Sequence, residues 1–339
     1  MFNILENISL KPHNTFAVEA FAKRFVEISS AEQFKNLLQN EDLRGEELLI
    51  LGGGSNILFT EDFNGLVIKN SIGGISITKE TDAYVIISAG AGVIWDDLVD
   101  FCVTKNLGGI ENLKLIPGTV GAAPIQNIGA YGAELVDVFE SLTGIFIQNF
   151  EEKTFMKDEC KFGYRSSVFK TDLKGKFFIT EVRLKLNKKP RINLSYKALK
   201  DSVEEEGIAN PTIKDVSRHV KNIRESKLPN PSDIGNAGSF FKNAEVHKSK
   251  VDELIKIYPD LVFYKVDNEI MKIPSGWLID KCGLKGLRKG NTGTHDKQAL
   301  VIVNLGGATG KEIYEIAMFV KEKVKNVFGI ELIPEVNII

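Results

Sequence analysis

Three observations predict a protein of two or three domains that mixes helix and strand. The chain has 339 residues, enough for more than one hydrophobic core. Stretches of helical and of strand periodicity alternate along it with no fixed repeat. The composition, 43% hydrophobic and 26% charged, is that of a globular protein and not a disordered or fibrous one. The 43 Lys+Arg and 45 Asp+Glu leave a net charge of −2, so nothing draws the whole chain to nucleic acid. No apolar run reaches the ~18 residues of a membrane helix. Met1 to Leu10 carries Glu6 and no basic cluster before an apolar run, which argues against a secretory signal. Cys102, Cys160 and Cys282 are far apart and form no Cys-x-x-Cys pair, and the four histidines are scattered with no His-Glu-x-x-His. That pattern points to a reducing compartment, the cytoplasm, and away from structural zinc, iron–sulfur or zinc-hydrolase chemistry.

The elements follow in order. Ser30-Ala31-Glu32-Gln33 reads as a capping box that starts a helix with Phe34, Leu37 and Leu38 on one face. Glu47 to Leu51 is a short buried strand running into Gly52-Gly53-Gly54. Tyr84 to Ile87 is another, ending at Gly90 and Gly92. Trp95, Leu98, Val99 and Cys102 recur at helical spacing, which makes Cys102 a core residue. Val182, Leu184 and Leu186 alternate with Arg183 and Lys185, the mark of a half-exposed strand. Val216, His219, Val220 and Ile223 share a helical face after Thr212, so His219 is read as a core-edge histidine and not a catalyst. Leu228-Pro229-Asn230-Pro231-Ser232 breaks the pattern and marks a boundary. Ile313, Ile316, Ala317, Val320 and Val324 line the last helix, and Glu331 to Ile339, with Pro334 near its start, reads as a closing strand.

Two loops invite a ligand. In Gly52-Gly53-Gly54-Ser55-Asn56, three glycines after a buried strand let backbone N–H groups converge on a phosphate; a plain turn is the bland alternative. The run from Pro117 to Gly132 holds four glycines, three alanines, two prolines and no charge. A solvated linker would carry charge or serine; small uncharged residues suit close approach of a ligand to backbone, with a tightly packed buried loop as the alternative. Neither Gly52-Gly53-Gly54 nor Gly90-Ala91-Gly92 satisfies Gly-x-Gly-x-x-Gly, because Ile57 and Trp95 occupy the required third positions. A dinucleotide would therefore bind on a fold other than the Rossmann fold.

At these loops and at five further segments the chain resembles the UDP-N-acetylenolpyruvoylglucosamine reductase (MurB) family. The further segments are His13-Asn14-Thr15-Phe16, Phe162-Gly163-Tyr164-Arg165-Ser166-Ser167, Asn236-Ala237-Gly238-Ser239-Phe240-Phe241-Lys242-Asn243, Gly276-Trp277-Leu278-Ile279-Asp280 and Ile333-Pro334-Glu335-Val336. They keep the family's order and are specific together, though weak singly. The resemblance implies an α+β fold: a two-domain FAD-binding unit of the vanillyl-alcohol-oxidase type plus a C-terminal α/β substrate-binding domain. The implied boundaries are residues 1–71 with 329–339, residues 72–227, and residues 228–328.

The resemblance also implies a reaction. NADPH reduces a non-covalent FAD, and the flavin then reduces the enolpyruvyl double bond of UDP-N-acetylglucosamine enolpyruvate, giving UDP-N-acetylmuramate for peptidoglycan. No histidine stands in either glycine-rich loop to hold a flavin covalently. FAD would lie along Gly52, Gly53, Gly54, Ser55, Asn56, Pro117, Gly118, Thr119, Gly121, Ala122, Ile125, Gln126, Asn127, Gly129, Ala130, Tyr131 and Arg165. Arg165 and Glu335 match the pair that polarises the substrate carboxylate, and Ser239 the acid that protonates carbon. Tyr164, Tyr196, Lys227, Asn243, Tyr264 and Gln298 match substrate contacts, Tyr196 marking the subclass with a substrate-covering loop. A serine is a poor acid unless a neighbour stabilises its alkoxide, and Lys242 is the nearby basic candidate. Ala244 and Pro274-Ser275 depart from the family's pattern beside two of these segments. The expected partner is the small-molecule substrate, with no nucleic acid, no membrane and a monomeric state. Two readings compete: another oxidoreductase on the same flavin scaffold, and a non-catalytic nucleotide-binding protein.

Overall fold

The structure, a computed structural model, describes residues 2–339. It divides into two compact units. The first comprises the described part of Met1–Ile8, Ala22–Gly53 and Phe63–Ser226; the second comprises Ser9–Phe21, Gly54–Asp62 and Lys227–Ile339.

The first unit holds two sheets, and the core of the smaller one takes in Ile145 and Phe178 of the larger. In the smaller sheet, strand Phe63–Asn70 runs parallel to Phe21–Ile28 on one side and Leu48–Leu51 on the other. A parallel strand covered on both faces needs a nearly continuous apolar run, and Leu66, Val67 and Ile68 are all buried. Helix Ala31–Leu38 covers one face with Phe34 and Leu37, and Phe34 stacks on Phe178 at 3.8 Å between ring centroids. The capping box is half of what the sequence suggests. Ser30 Oγ accepts from Gln33 N at 3.1 Å, but Gln33 Oε1 accepts from Ser29 N, one residue before the cap.

The larger sheet is antiparallel, in the order Glu152–Met156, Phe139–Phe146, Phe177–Asn187, Tyr84–Gly90, Ile75–Glu80. Val182, Leu184 and Leu186 point into a core shared with Trp95, Leu98, Val99 and Cys102 of helix Trp95–Thr104, as their spacing predicts. Helices Lys197–Glu205 and Ile213–Lys227 form a satellite core of Leu199, Val203, Val216, Val220 and Ile223. His219 is buried there, its Nδ1 2.7 Å from Ser202 Oγ and its Nε2 2.8 Å from Glu206 Oε2, the core-edge position read from its periodicity.

The second unit has a four-stranded sheet ordered Gly235–Ser239, Val301–Asn304, Thr292–Thr294, Arg288–Lys289. A three-stranded sheet follows the order Ala244–His247, Ile270–Ile273, Tyr264–Lys265. Helix Gly310–Phe328 buries its apolar face against them. Its ends have clear causes: Thr309 Oγ1 caps Glu312 N at 3.2 Å, and Gly329 takes φ 66. The closing strand is shorter than the sequence suggests. Only Asn337–Ile338 pairs as a strand, parallel to Ile57–Leu58, while Pro334 makes an isolated bridge to Phe241. A residue without an N–H cannot carry a ladder through position 334, so the chain there is held bond by bond.

Candidate active site

In the first unit the two glycine-rich loops meet. A Cβ on Gly52 would stand 2.6 Å from Thr119 Oγ1, and one on Gly53 would stand 3.0 Å from Gly118 Cα. A Cβ on Gly121 would stand 2.5 Å from the Ala91 Cβ. A side chain at Gly52 or Gly53 would press the two loops apart, and one at Gly121 would press the long loop off Ala91. The long loop is fixed from beneath: Val120 N donates to Val93 O, Gly121 N to Ala91 O, and Trp95 N to Gly118 O, all within 3.0 Å. By contrast, the N–H groups of Gly53, Gly118 and Thr119 find no acceptor among the described residues. Thr119 is buried. Gly53 and Gly118 are half-buried, and free N–H groups converging at glycine turns make a ready anion cradle. This fits the diphosphate of a flavin dinucleotide.

The rest of the long loop is pinned by side chains. Asn127, buried and at φ 43, donates from Nδ2 to Glu134 Oε2 and Gly163 O and accepts at Oδ1 from Val136 N. Ser167 Oγ donates to Ile125 O at 2.7 Å, and Lys170 Nζ reaches Gln126 Oε1 at 3.5 Å. Asn112 Nδ2 donates to both Tyr131 O and Asn193 O, and Asn193 Nδ2 donates to Gly132 O.

Arg165 is brought onto this loop. Gly163 and Ser166 bridge each other, which leaves Arg165 at a turn with φ 51. Its guanidinium donates to Gly129 O and, at 3.5 Å, to Asn127 O, and its Cζ lies 5.3 Å from the Tyr164 ring centroid. The sequence pairs Tyr164 with Arg165, and the turn places them together. Tyr196 joins them at one remove: its ring meets Tyr131 edge-on at 5.0 Å, at the start of helix Lys197–Glu205.

The sequence misses Arg224. It lies half-buried on helix Ile213–Lys227, its guanidinium near enough to the Tyr131 phenol for their charges to interact. Its Nε is buried without a partner among the described residues. Burial pulls the guanidinium below its ordinary pKa, against the opposing pull of Tyr131 and Asp96. Burial likewise pushes the Tyr131 phenol up, and the Arg224 charge works against that. The only sequence signal was an arginine one position past Ile223, on the edge of an apolar face.

The second unit gathers other candidates. Gly54, at φ 64, packs so closely that a Cβ would stand 1.9 Å from His13 O, and Thr15 N donates to Gly54 O. Ser239 is exposed at the end of strand Gly235–Ser239, beyond a register shift after Asn236, with buried Phe240 and Phe241 directly behind it. Asn236 holds this bulge: Nδ2 donates to Pro229 O and Ile234 O, Oδ1 accepts from Gly238 N, and its own N donates to Thr15 O. Glu335 lies against it. Glu335 N donates to Phe240 O at 2.8 Å, Lys242 N donates to Ile333 O, and Asn56 Nδ2 donates to Glu335 O. Ser239 and Glu335 therefore belong to two bonded segments that meet from distant parts of the chain. Lys242, the nearby basic residue, is held through its backbone here: its N donates to Ile333 O and its carbonyl accepts from Ser275 Oγ.

Asn243 and Gln298 converge at the start of helix Ser275–Lys281. Asn243 Oδ1 accepts from Ser275 N, Ser275 Oγ donates to Lys242 O, and a Cβ on Gly276 would stand 2.9 Å from Gln298 Oε1. The departure at Ser275 is thus a buried, fully used hydroxyl. Tyr264 stands exposed on the edge strand opposite Lys272, outside that cluster of hydrogen bonds, and Lys227 is exposed at the end of its helix.

With this geometry in place, similarity to known proteins is decisive. Residues 230–339 match the family model of the UDP-N-acetylenolpyruvoylglucosamine reductase C-terminal domain, and residues 22–146 match an FAD binding domain. The chain is 46% identical over 337 residues to the UDP-N-acetylenolpyruvoylglucosamine reductase of Flavobacterium johnsoniae, covering 99% of each. It is 45% identical over 333 residues to that of Pseudomonas aeruginosa, covering 98% of each. This chain belongs to the UDP-N-acetylenolpyruvoylglucosamine reductase family. The solved MurB of Thermus caldophilus shares the fold, with a TM-score of 0.67 at 24% identity, covering all of this chain and 99% of that one. Family membership makes the chain an FAD-dependent oxidoreductase of peptidoglycan precursor synthesis, with an α+β FAD-binding part and a family-specific C-terminal part. Among the described residues, no helix is long and apolar enough to cross a membrane.

Proposed function

We propose that this chain uses NADPH to reduce the enolpyruvyl ether of UDP-N-acetylglucosamine enolpyruvate to the lactyl ether of UDP-N-acetylmuramate. The observation that carries the reading is the pairing of the Ser239 and Glu335 segments through the Glu335 N to Phe240 O bond. It joins the segment that carries the Ser239 hydroxyl to the segment that carries the Glu335 carboxyl, at sequence positions that match the family's chemistry. Bound FAD supplies the relay of a hydride from the reduced nicotinamide to the terminal vinyl carbon.

The chain's own residues do the rest. The Gly52–Gly53 and Gly118–Thr119 N–H groups hold the flavin diphosphate. Arg165, fixed by the carbonyls of Gly129 and Asn127, clamps the substrate carboxylate and favours charge that develops on it. Ser239 gives its hydroxyl proton to the carbon next to that carboxylate. Glu335 takes the family's second place at the substrate carboxylate. Tyr164 lies at the nicotinamide and enolpyruvyl end. Tyr196, Lys227, Asn243, Tyr264 and Gln298 take the diphosphate and the nucleotide sugar. Gly54, Ser55, Asn56, Pro117, Gly121, Ala122, Ile125, Gln126, Ala130 and Tyr131 complete the flavin surface. Arg224 adds a partly unsatisfied cation beside Tyr131 and suits an anionic ligand.

The proposed boundaries are 1–71 with 329–339, 72–227 and 228–328. The pairing of Asn337–Ile338 with Ile57–Leu58 supports the return of the C-terminus to the first segment. We propose a cytoplasmic monomer.

An anaerobic absorbance titration tests the reading. NADPH should bleach the bound flavin, and UDP-N-acetylglucosamine enolpyruvate should restore its oxidised spectrum. Bleaching without recovery on the sugar nucleotide would leave a flavin oxidoreductase and remove this substrate.

A further inference from the structure

The triple-glycine loop has a cation beneath it that the reading above does not use. Lys69 lies on strand Phe63–Asn70, opposite Leu51 on one neighbouring strand and Glu27 on the other. Its side chain is half-buried, and Nζ donates to Gly52 O at 2.5 Å. That is the one hydrogen bond of its ammonium among the described residues. Glu27 faces it across the sheet but accepts from Ser71 Oγ at 2.5 Å and makes no ion pair with Lys69. Burial lowers the Lys69 pKa and the Glu27 charge opposes the shift. A lysine on a strand ordinarily keeps its head in water. Here the head is drawn under a loop and spends a charge-assisted bond on a backbone carbonyl.

That carbonyl is not an arbitrary one. Gly52 C=O and Gly53 N–H are the two ends of one planar peptide group. A cation on the oxygen fixes the plane of that group and draws electron density from its nitrogen, so its N–H becomes a stronger donor. Gly53 N–H has no acceptor among the described residues, and the approach of Gly118 keeps its side open to backbone alone.

We propose that Lys69 is a positioning residue for the FAD diphosphate: through Gly52 O it orients and polarises the peptide whose N–H, on Gly53, meets a phosphate oxygen. The inference rests on the assignment of this loop to FAD, and not on the identity of the substrate.

The test uses purified holoenzyme and flavin fluorescence. The FAD dissociation constant is measured by serial dilution, and bound FAD is displaced by two competitors. ADP carries the diphosphate without the isoalloxazine, and riboflavin carries the isoalloxazine without phosphate. Lys69→Met should weaken FAD about tenfold, the scale of one charge-assisted hydrogen bond. ADP should lose competing strength by a similar factor, with riboflavin unchanged, and Lys69→Arg should restore most of the loss. Unchanged FAD affinity would overturn the proposal. So would equal weakening of ADP and riboflavin, which marks a general loosening of the loop, or failure of arginine to rescue. Should the methionine variant not fold, Lys69→Gln, which keeps a donor and loses the charge, carries the same expectation. A wild-type enzyme that ignores the enolpyruvyl sugar nucleotide would end the functional reading while leaving these affinities intact.

Discussion

Ser239 is exposed and stands in front of two buried phenylalanines. Its backbone is therefore rigid while its hydroxyl stays available to a ligand. Only the second half-reaction needs a proton on carbon, so Ser239→Ala should leave flavin bleaching by NADPH near the wild-type rate. Reoxidation by substrate should slow by about 10²–10⁴-fold, the range of a lost general acid. Rapid-mixing absorbance separates the two steps, and equal slowing of both would remove Ser239 from the proton transfer. Arg165 supports a different expectation. Its guanidinium is oriented by two carbonyls and by the Tyr164 ring, and a lysine cannot reproduce that planar fork. Arg165→Lys should cost about 10²-fold in kcat/KM or more, the scale of one lost transition-state donor. Steady-state turnover within a few-fold of wild type would end the carboxylate-clamp role.

Elements decide how much of this the sequence could tell. Periodicity read correctly at Trp95, Leu98, Val99 and Cys102, and at Val182, Leu184 and Leu186, because a single buried face dictates those spacings. The glycine loops were legible because glycine is required where a Cβ would strike Thr119 or His13. The pairing of the Ser239-Phe240-Phe241 segment with the Ile333–Glu335 segment was not legible from the residues themselves: two backbone bonds between distant segments leave no mark on side-chain pattern, and only the family resemblance coupled the two. Lys69 and Arg224 escaped for a similar reason, since a lone cation has no period. The helix pair that carries Tyr196 adds a prediction with a definite sign. Asp215 accepts from Thr212 Oγ1 and Thr212 N at the start of helix Ile213–Lys227, and these bonds, with Arg218, hold its carboxyl below the usual range. A depressed folded pKa means that the stabilisation is present above the unfolded value of about 3.9 and is lost as pH falls through the lower folded value. The group is nearly exposed, so the effect is small. Hydrogen-exchange protection at Val216 to Ile223 should fall a few-fold more between pH 5 and pH 3 in wild type than in Asp215→Asn. Equal falls in the two proteins would show that the Asp215 charge does not hold this helix.

At the scale of the whole molecule, the cysteines report on folding and on flavin together. Burial pushes the Cys102 and Cys160 thiols up to about 12, so neither offers thiolate to an alkylating agent near neutral pH while the first unit is folded. Cys282, half-buried in the second unit, is shifted in the same direction by burial against the opposing charge of Lys323. Iodoacetamide at pH 8 should therefore modify Cys282 first, and Cys102 and Cys160 only through molecules in which their core has opened. Cys102 shares that core with Trp95, whose N–H holds Gly118 O in the flavin loop. A ligand that binds the folded unit alone lowers the open population by a factor of 1 + [L]/Kd. Free FAD at about 100 times its dissociation constant should thus slow modification of Cys102 and Cys160 by about 100-fold, provided that closing is faster than alkylation. Mass spectrometry of the three cysteine peptides gives all the rates in one experiment. Slowing at Cys102 and Cys160 without slowing at Cys282 would mean that FAD stabilises the first unit while Cys282 reacts from the folded protein. Equal slowing at all three would mean that the chain opens as one cooperative body. Rates at Cys102 indifferent to FAD would break the link drawn here between the Trp95 core and the flavin loop.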